Sequence, residues 1–309
     1  MSLTGYLKMS SISWLFIAVL SSATYAVTNF IDKYILDRKI RDYRGLVIYT
    51  TIVSLIFGIF FWLLAGLPIL AFREAAVLGI SGVFTIGGLA LYFRALSLEE
   101  TSIIIILMQL APLIVLLLSV TILQEKVSNA QLAGFLFIFS GAIGVSLTRK
   151  DLNINFSKAL FFILIADLLW ASANVLFKFT LLSATFLETV PFESFGIAIG
   201  GLLIYLLSPS TRCAFSKMHK SVSKSGLIFI VLNEIIFLSA KFLGFYAISL
   251  GPVSLVSIVG STQIFFGVLY GWILTLIRKE FHEDISLSGI ARKLCMSLII
   301  FIGIWFMNY

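Results

Sequence analysis

The chain has 309 residues, 60% of them apolar and only 12% charged, with a mean hydropathy of +1.08. So little polar surface cannot cover a soluble domain of this size, and the composition places the chain in a bilayer. A hydrocarbon core about 30 Å thick takes roughly 20 helical residues per crossing, so ten crossings use about 200 residues and exclude a sizeable soluble domain.

Ten apolar runs follow in chain order, at 12–31, 46–65, 75–96, 102–123, 131–148, 158–181, 192–208, 226–248, 253–276 and 294–308. Helices satisfy every backbone donor and acceptor within lipid, so the runs are read as helices and the expected fold class is all-α integral membrane. The first run contains Ser21-Ser22-Ala23, a loose match to a signal-peptide cleavage site. Its apolar residues continue to Ile31, too far for a signal peptide, and a permanent span is expected. Ser97–Thr101 leaves room only for a hairpin between the third and fourth runs, while Glu188, Pro191 and Glu193 crowd the start of the seventh. Cys213, in a basic loop, and Cys295, in an apolar run, suggest neither a disulfide framework nor a zinc site.

The runs repeat. Tyr25-Ala26-x-x-Asn29-x-x-x-Lys33 lies over Trp170-Ala171-x-x-Asn174-x-x-x-Lys178, and Phe93–Leu98 lies over Phe245–Leu250, with Ser102 over Ser254. Two five-helix units are therefore expected, 1–150 and 151–309. Five is odd, so the second unit enters the membrane from the opposite side. Inverted halves enclosing a mid-membrane site are a recurring plan of secondary transporters.

The aromatic-Ala-x-x-Asn-x-x-x-Lys pattern, Pro112, Gln124-Glu125-Lys126, Gln131-x-x-Gly134 and Gly141-x-x-Gly144 resemble the EamA type of the drug/metabolite transporter superfamily. In the second half Glu280 answers Glu125, but residues 281–293 are extra and the glycine pattern is reduced to Gly303. The resemblance implies a ten-helix carrier of small metabolites with both termini in the cytoplasm.

Charge points the other way. Of 22 Lys and Arg, 17 fall on the side reached after the odd-numbered runs, from Lys33 and Arg38 through Lys217 and Lys224 to Arg292 and Lys293. Basic loops face the cytoplasm, so both termini are expected outside it. The setting expected is the bacterial cytoplasmic membrane. These loops are read as solvated orientation signals and not as a nucleic-acid surface.

Ionisable groups within spans are costly and mark wet or functional interiors. Asp167 in the sixth run and Glu234 and Lys241 in the eighth qualify, and none is echoed in the first half, where Ser22, Gly82 and Leu89 stand instead. Glu234 and Lys241 share a helix face about 10 Å apart. The structural alternative is that Asp167 or Glu234 simply neutralises Lys241. Gln109, Gln263, Asn29 and Asn174 are amides needing partners across helices or in a cavity, with Tyr25 and Trp170 as candidate aromatic walls. Gly196-x-x-x-Gly200 and Gly267-x-x-x-Gly271 are read as close helix contacts, and Pro112 as a kink.

His219 and His282 lie in polar stretches, and no metal-ligand spacing or phosphate loop appears, so neither enzyme activity nor a cofactor is expected. The function expected is secondary active transport of a small polar metabolite, an amino acid or related amine or acid, by alternating access. Glu234 or Asp167 would couple it to protons. The alternatives are a flippase for a lipid or lipid-linked head group, a membrane enzyme and a non-transporting scaffold. Expected partners are the metabolite, the bilayer and protons, with a homodimer left open.

Green fluorescent protein fused after Tyr309 is expected to stay dark in bacterial cells, because it does not mature when exported unfolded. Bright fluorescence would overturn the orientation.

Overall fold

The computed structural model describes residues 3–38, 42–98, 107–146, 158–277 and 287–306. Among these it is all-helical. The helices are α1 (Leu3–Arg38), α2 (Arg44–Leu64), α3 (Phe72–Leu96), α4 (Ala111–Ile122), α5 (Asn129–Ser146), α6 (Lys158–Thr180), α7 (Phe186–Leu207), α8 (Pro209–Ser221), α9 (Lys224–Leu250), α10 (Val253–Gly260), α11 (Gln263–Ile277) and α12 (Leu287–Phe306). Six are long and apolar enough to cross a membrane: α1 from Trp14, α2, α3, α6, α7 and α9.

Three departures from the sequence reading have local causes. The first run ends at Ile31, yet α1 continues two further turns to Arg38 and takes Asp32 with it. Thr185 and Glu188 form a capping box, with Glu188 Oε2 accepting from the Thr185 amide at 2.8 Å, so α7 starts at Phe186 instead of 192. Glu193 thereby lies well inside the helix. Residues 209–221, expected as a basic loop, form α8, whose N-cap Ser208 accepts from the Thr211 amide. Thr211, Ala214 and Met218 recur at helical spacing and are buried, while Arg212, Lys217 and Lys220 point away from that face. His219 sits on this helix, with Nδ1 2.9 Å from the Tyr49 hydroxyl.

Two helices break at matching places. Ser102 and Ser254 are 152 residues apart, and so are Met108 and Gly260, or Leu110 and Thr262. Met108–Leu110 forms a 3₁₀ turn before α4, and Gly260–Thr262 separates α10 from α11. Pro112 stands in the first turn of α4, where its missing amide hydrogen costs nothing. It therefore follows a break and does not kink a continuous helix.

Packing runs between the halves. α1 packs on α9, α10 and α11, while α6 packs on α3 and α4; α2 meets both α7 and α9, and α3 meets α7. The remaining main pairs are α2 with α8, α4 with α10 and α5 with α12. Apart from α2 with α8, exchanging α1 with α6, α2 with α7, α3 with α9, α4 with α10–α11 and α5 with α12 leaves this set of pairs unchanged. Two apolar cores result, one around Trp14, Phe177 and Phe245, the other around Ile35, Leu46 and Phe93. Buried polar residues such as Ser54, Ser81, Thr85 and Glu193 occupy the stretches of helix between them.

Small residues permit the closest approach. A Cβ on Gly82 of α3 would overlap the backbone of Glu193, Gly196 and Ile197 in α7, and one on Gly200 would press on Val83 and Ile86. Gly196 and Gly200 thus make a close contact. Gly267 does not, since a Cβ there meets nothing within 4 Å, and the Gly271 side of that motif lies outside the described residues.

Gly79 and Gly82 provide a paired test. A Cβ on Gly79 enters open space, so Gly79→Ala is expected to gain helix propensity, by about 0.5–1 kcal/mol, and hold or raise the melting temperature. Gly82→Ala is expected to lower it by forcing α3 and α7 apart. Equal effects in thermal melts would refute this packing.

Candidate functional site

Lys241 in α9 is 7% exposed and Glu193 in α7 is 2% exposed, and they form a buried ion pair. Glu193 Oε1 also accepts from Thr85 Oγ1 of α3 at 3.1 Å, and the Lys241 ammonium stands 4.8 Å from the centre of the Phe245 ring. Either charge alone would be strongly disfavoured in this interior; together, with a hydroxyl and an aromatic face added, they can be accommodated. Trp170 Nε1 donates to the Thr85 carbonyl at 3.1 Å, and Tyr25 lies within electrostatic reach of Glu193. Five helices therefore converge on one pair.

Beside the pair is a cavity of about 10 Å³, lined by Phe57, Val190, Ser194, Leu238, Phe242 and Phe245 as well as the two charges. That is room for roughly one water. Its walls are aromatic and tied together: Phe242 meets Phe57 at 6.4 Å and Phe186 at 5.0 Å, and Phe245 stacks on Phe177 at 3.8 Å.

A second charged group lies two turns away along α9. Asn233 Nδ2 donates to Asp32 Oδ1 at 2.7 Å, joining α9 to the extended end of α1. Glu234, 3% exposed, lies beside Thr50 of α2, whose hydroxyl donates to the Leu46 carbonyl at 3.3 Å, and within electrostatic reach of Asp32. Lys241 is therefore neutralised by neither Glu234 nor Asp167, but by Glu193.

Asp167 stands apart. It is fully buried in α6, and neither carboxylate oxygen has a hydrogen-bond partner among the described residues. Of the candidate amides, Asn29 and Asn174 are half-buried in α1 and α6, and Gln263 is half-buried as the first residue of α11, directly after the break. Gln109 belongs to the matching 3₁₀ turn, but its side chain lies outside the described residues. Thus Lys241, Tyr25 and Trp170 come together around Glu193, Glu234 joins Asp32, and Asp167 remains separate.

The repeated Lys178 and the motif residue Glu125 have structural work. Lys178 Nζ donates to the carbonyls of Ile248 and Gly251 at 2.7 and 2.8 Å, closing the C-terminus of α9. Glu125 accepts from the amides of Val253 and Ser254 at 2.8 and 3.1 Å, capping the N-terminus of α10 from the other half. Each charge has the sign its helix end favours. The side chain of Lys33, and all of Glu280 and His282, lie outside the described residues.

Residues 12–147, which include Glu125 and its flanking motifs, match the model of the EamA-like transporter family. No curated protein matches the chain. Among solved structures 28 chains match; one crystal structure shares the fold with a TM-score of 0.68, at 19% identity, over 96% of each chain. The EamA-like match and the apolar helices support an integral multi-pass membrane protein.

Glu193→Gln or Lys241→Met alone leaves one buried charge unpaired and is expected to cost about 3–5 kcal/mol of stability. The double variant is expected to recover most of that loss. Thermal melts in detergent check this: no recovery in the double variant would mean that the pair is not the balancing unit.

Proposed function

We propose that the protein is a secondary active transporter for a small zwitterionic metabolite, an amino acid or a related amine or acid, working by alternating access between two inverted five-helix halves. The carrying observation is the Lys241–Glu193 pair set in a narrow aromatic cavity at the junction of the halves. A zwitterion can replace this internal pair with two pairs of its own, its carboxylate on Lys241 and its ammonium on Glu193. The exchange leaves no charge unmatched. Phe57, Phe242 and Phe245 would receive an apolar substituent.

Ten crossings are read with α10 and α11 as one broken span, α4 with its preceding 3₁₀ turn as another, and α8 lying outside the set. Paired breaks at corresponding positions of two halves suit a carrier, because freed backbone groups there can meet substrate or act as pivots. Asp167 is the group assigned to proton coupling. A solitary buried carboxyl can take up a proton on one side and release it on the other without disturbing a partner. The charge distribution supports both termini lying outside the cytoplasm.

Thermal melts of the purified protein against a panel of amino acids, amines and organic acids test the substrate class. A zwitterion is expected to stabilise the wild type and to lose that effect in Glu193→Gln and Lys241→Met. In proteoliposomes, Asp167→Asn is expected to remove the dependence of uptake on a proton gradient. Stabilisation only by simple cations or by lipid head groups would rule out the zwitterion, and gradient-driven uptake persisting in Asp167→Asn would rule out the proton role.

A further inference from the structure

The Asp32–Glu234 group is not used by the substrate pair. Both carboxylates are more than nine-tenths buried, at 7% and 3% exposure, and they repel each other. Among the described residues the ion pairs are Arg44–Asp42 and Lys241–Glu193, so neither carboxylate has a basic partner there. The second observation is Asn233. This residue is 2% exposed, and its amide donates to Asp32 while its own Oδ1 is buried with no hydrogen-bond partner. An unpaired acceptor beside two carboxylates is an arrangement short of positive charge.

We propose that Asp32, Thr50, Asn233 and Glu234 form a sodium-binding site at the junction of α1, α2 and α9. The oxygens available are two carboxylates, an amide carbonyl and a hydroxyl, all hard donors suited to sodium and not to a soft metal. Magnesium dehydrates reluctantly and keeps several waters, and calcium takes up to eight oxygens, whereas this buried group offers at most six and little room for water. A proton shared by the carboxylates would reduce their repulsion but leave Asn233 Oδ1 without a partner; a metal cation answers both. One sodium ion also halves the charge the fold must bury.

The site has a definite depth and a consequence. Asp32 and Tyr92 lie near the ends of α1 and α3, and Thr50 and Glu234 near the starts of α2 and α9, which places the site about 6–15 Å below the face carrying Arg44, Arg94 and Lys224. Tyr92 of α3, within electrostatic reach of Asp32, is the titratable group facing the site from that helix. Sodium would fix α9 against α1 and α2, and α9 carries Lys241 two turns further on.

Melting temperatures of the purified protein in sodium, potassium and choline chloride at equal ionic strength test this. No substrate is needed, so the outcome is independent of the zwitterion reading. Sodium alone is expected to give a saturable rise, abolished in Asp32→Asn and Glu234→Gln and retained in Asp42→Asn, which alters a half-buried carboxylate paired with Arg44. Thr50→Val, which keeps both charges, is expected to weaken the apparent sodium affinity about tenfold. Should the carboxylate variants fail to fold, Thr50→Val and retention of radioactive sodium by the wild type, uncompeted by potassium, decide the matter. Equal melting in the three salts, a sodium shift surviving in Asp32→Asn, or stabilisation that follows pH alone would overturn the proposal.

Discussion

Every main packing partner of a helix in one half lies in the other half, and the rest of the structure depends on that constraint. In lipid there is no hydrophobic drive between helices, so association rests on close backbone approach and on polar contacts across the seam. Both occur where the halves meet. Gly82 lets α3 touch α7 at the residues that hold Glu193, and Thr85, one turn along α3, completes the hydrogen bonding of that carboxylate. The small residues and the charged centre are thus two aspects of one contact. Moving α3 relative to α7 must alter the surroundings of Glu193.

The two charged groups on α9 differ in kind. Lys241 with Glu193 is internally balanced and walled by aromatic rings, a centre that can exchange partners without net charge. Asp32 with Glu234 is unbalanced and held by neutral donors. About 10 Å of rigid helix joins them. On the proposed reading, a single helix carrying both would link the occupancy of one group to the position of the other, as a two-state carrier requires.

Much of this was legible in the sequence. The apolar runs, the duplicated Asn and Lys pattern and the intramembrane Glu234, Lys241 and Asp167 all stand out against an apolar background. Their pairing did not, because the contact of Lys241 with Glu193 spans 48 residues and two helices, and no periodicity encodes it. Glu193 and Asp32 are hidden by boundaries: each sits next to the point where an apolar run begins or ends, while a capping box and two extra helical turns carry the helices past them. The Thr185-x-x-Glu188 spacing was a readable signal for the first. For α8, the Thr211, Ala214 and Met218 spacing was equally readable, obscured by its basic composition.

The corner at Gly251–Pro252, between α9 and α10, has a cation on the outgoing helix end and an anion on the incoming one. Lys178 supplies the first from α6, and Glu125 the second from beyond α4. These bonds are made to backbone at helix ends, by side chains that are only partly open to solvent. Mobile ions reach such contacts poorly, so the corner should keep its strength at ionic strengths that dissolve ordinary surface pairs. The joint from which the broken helix starts is thereby insulated from the salt composition on either side of the membrane.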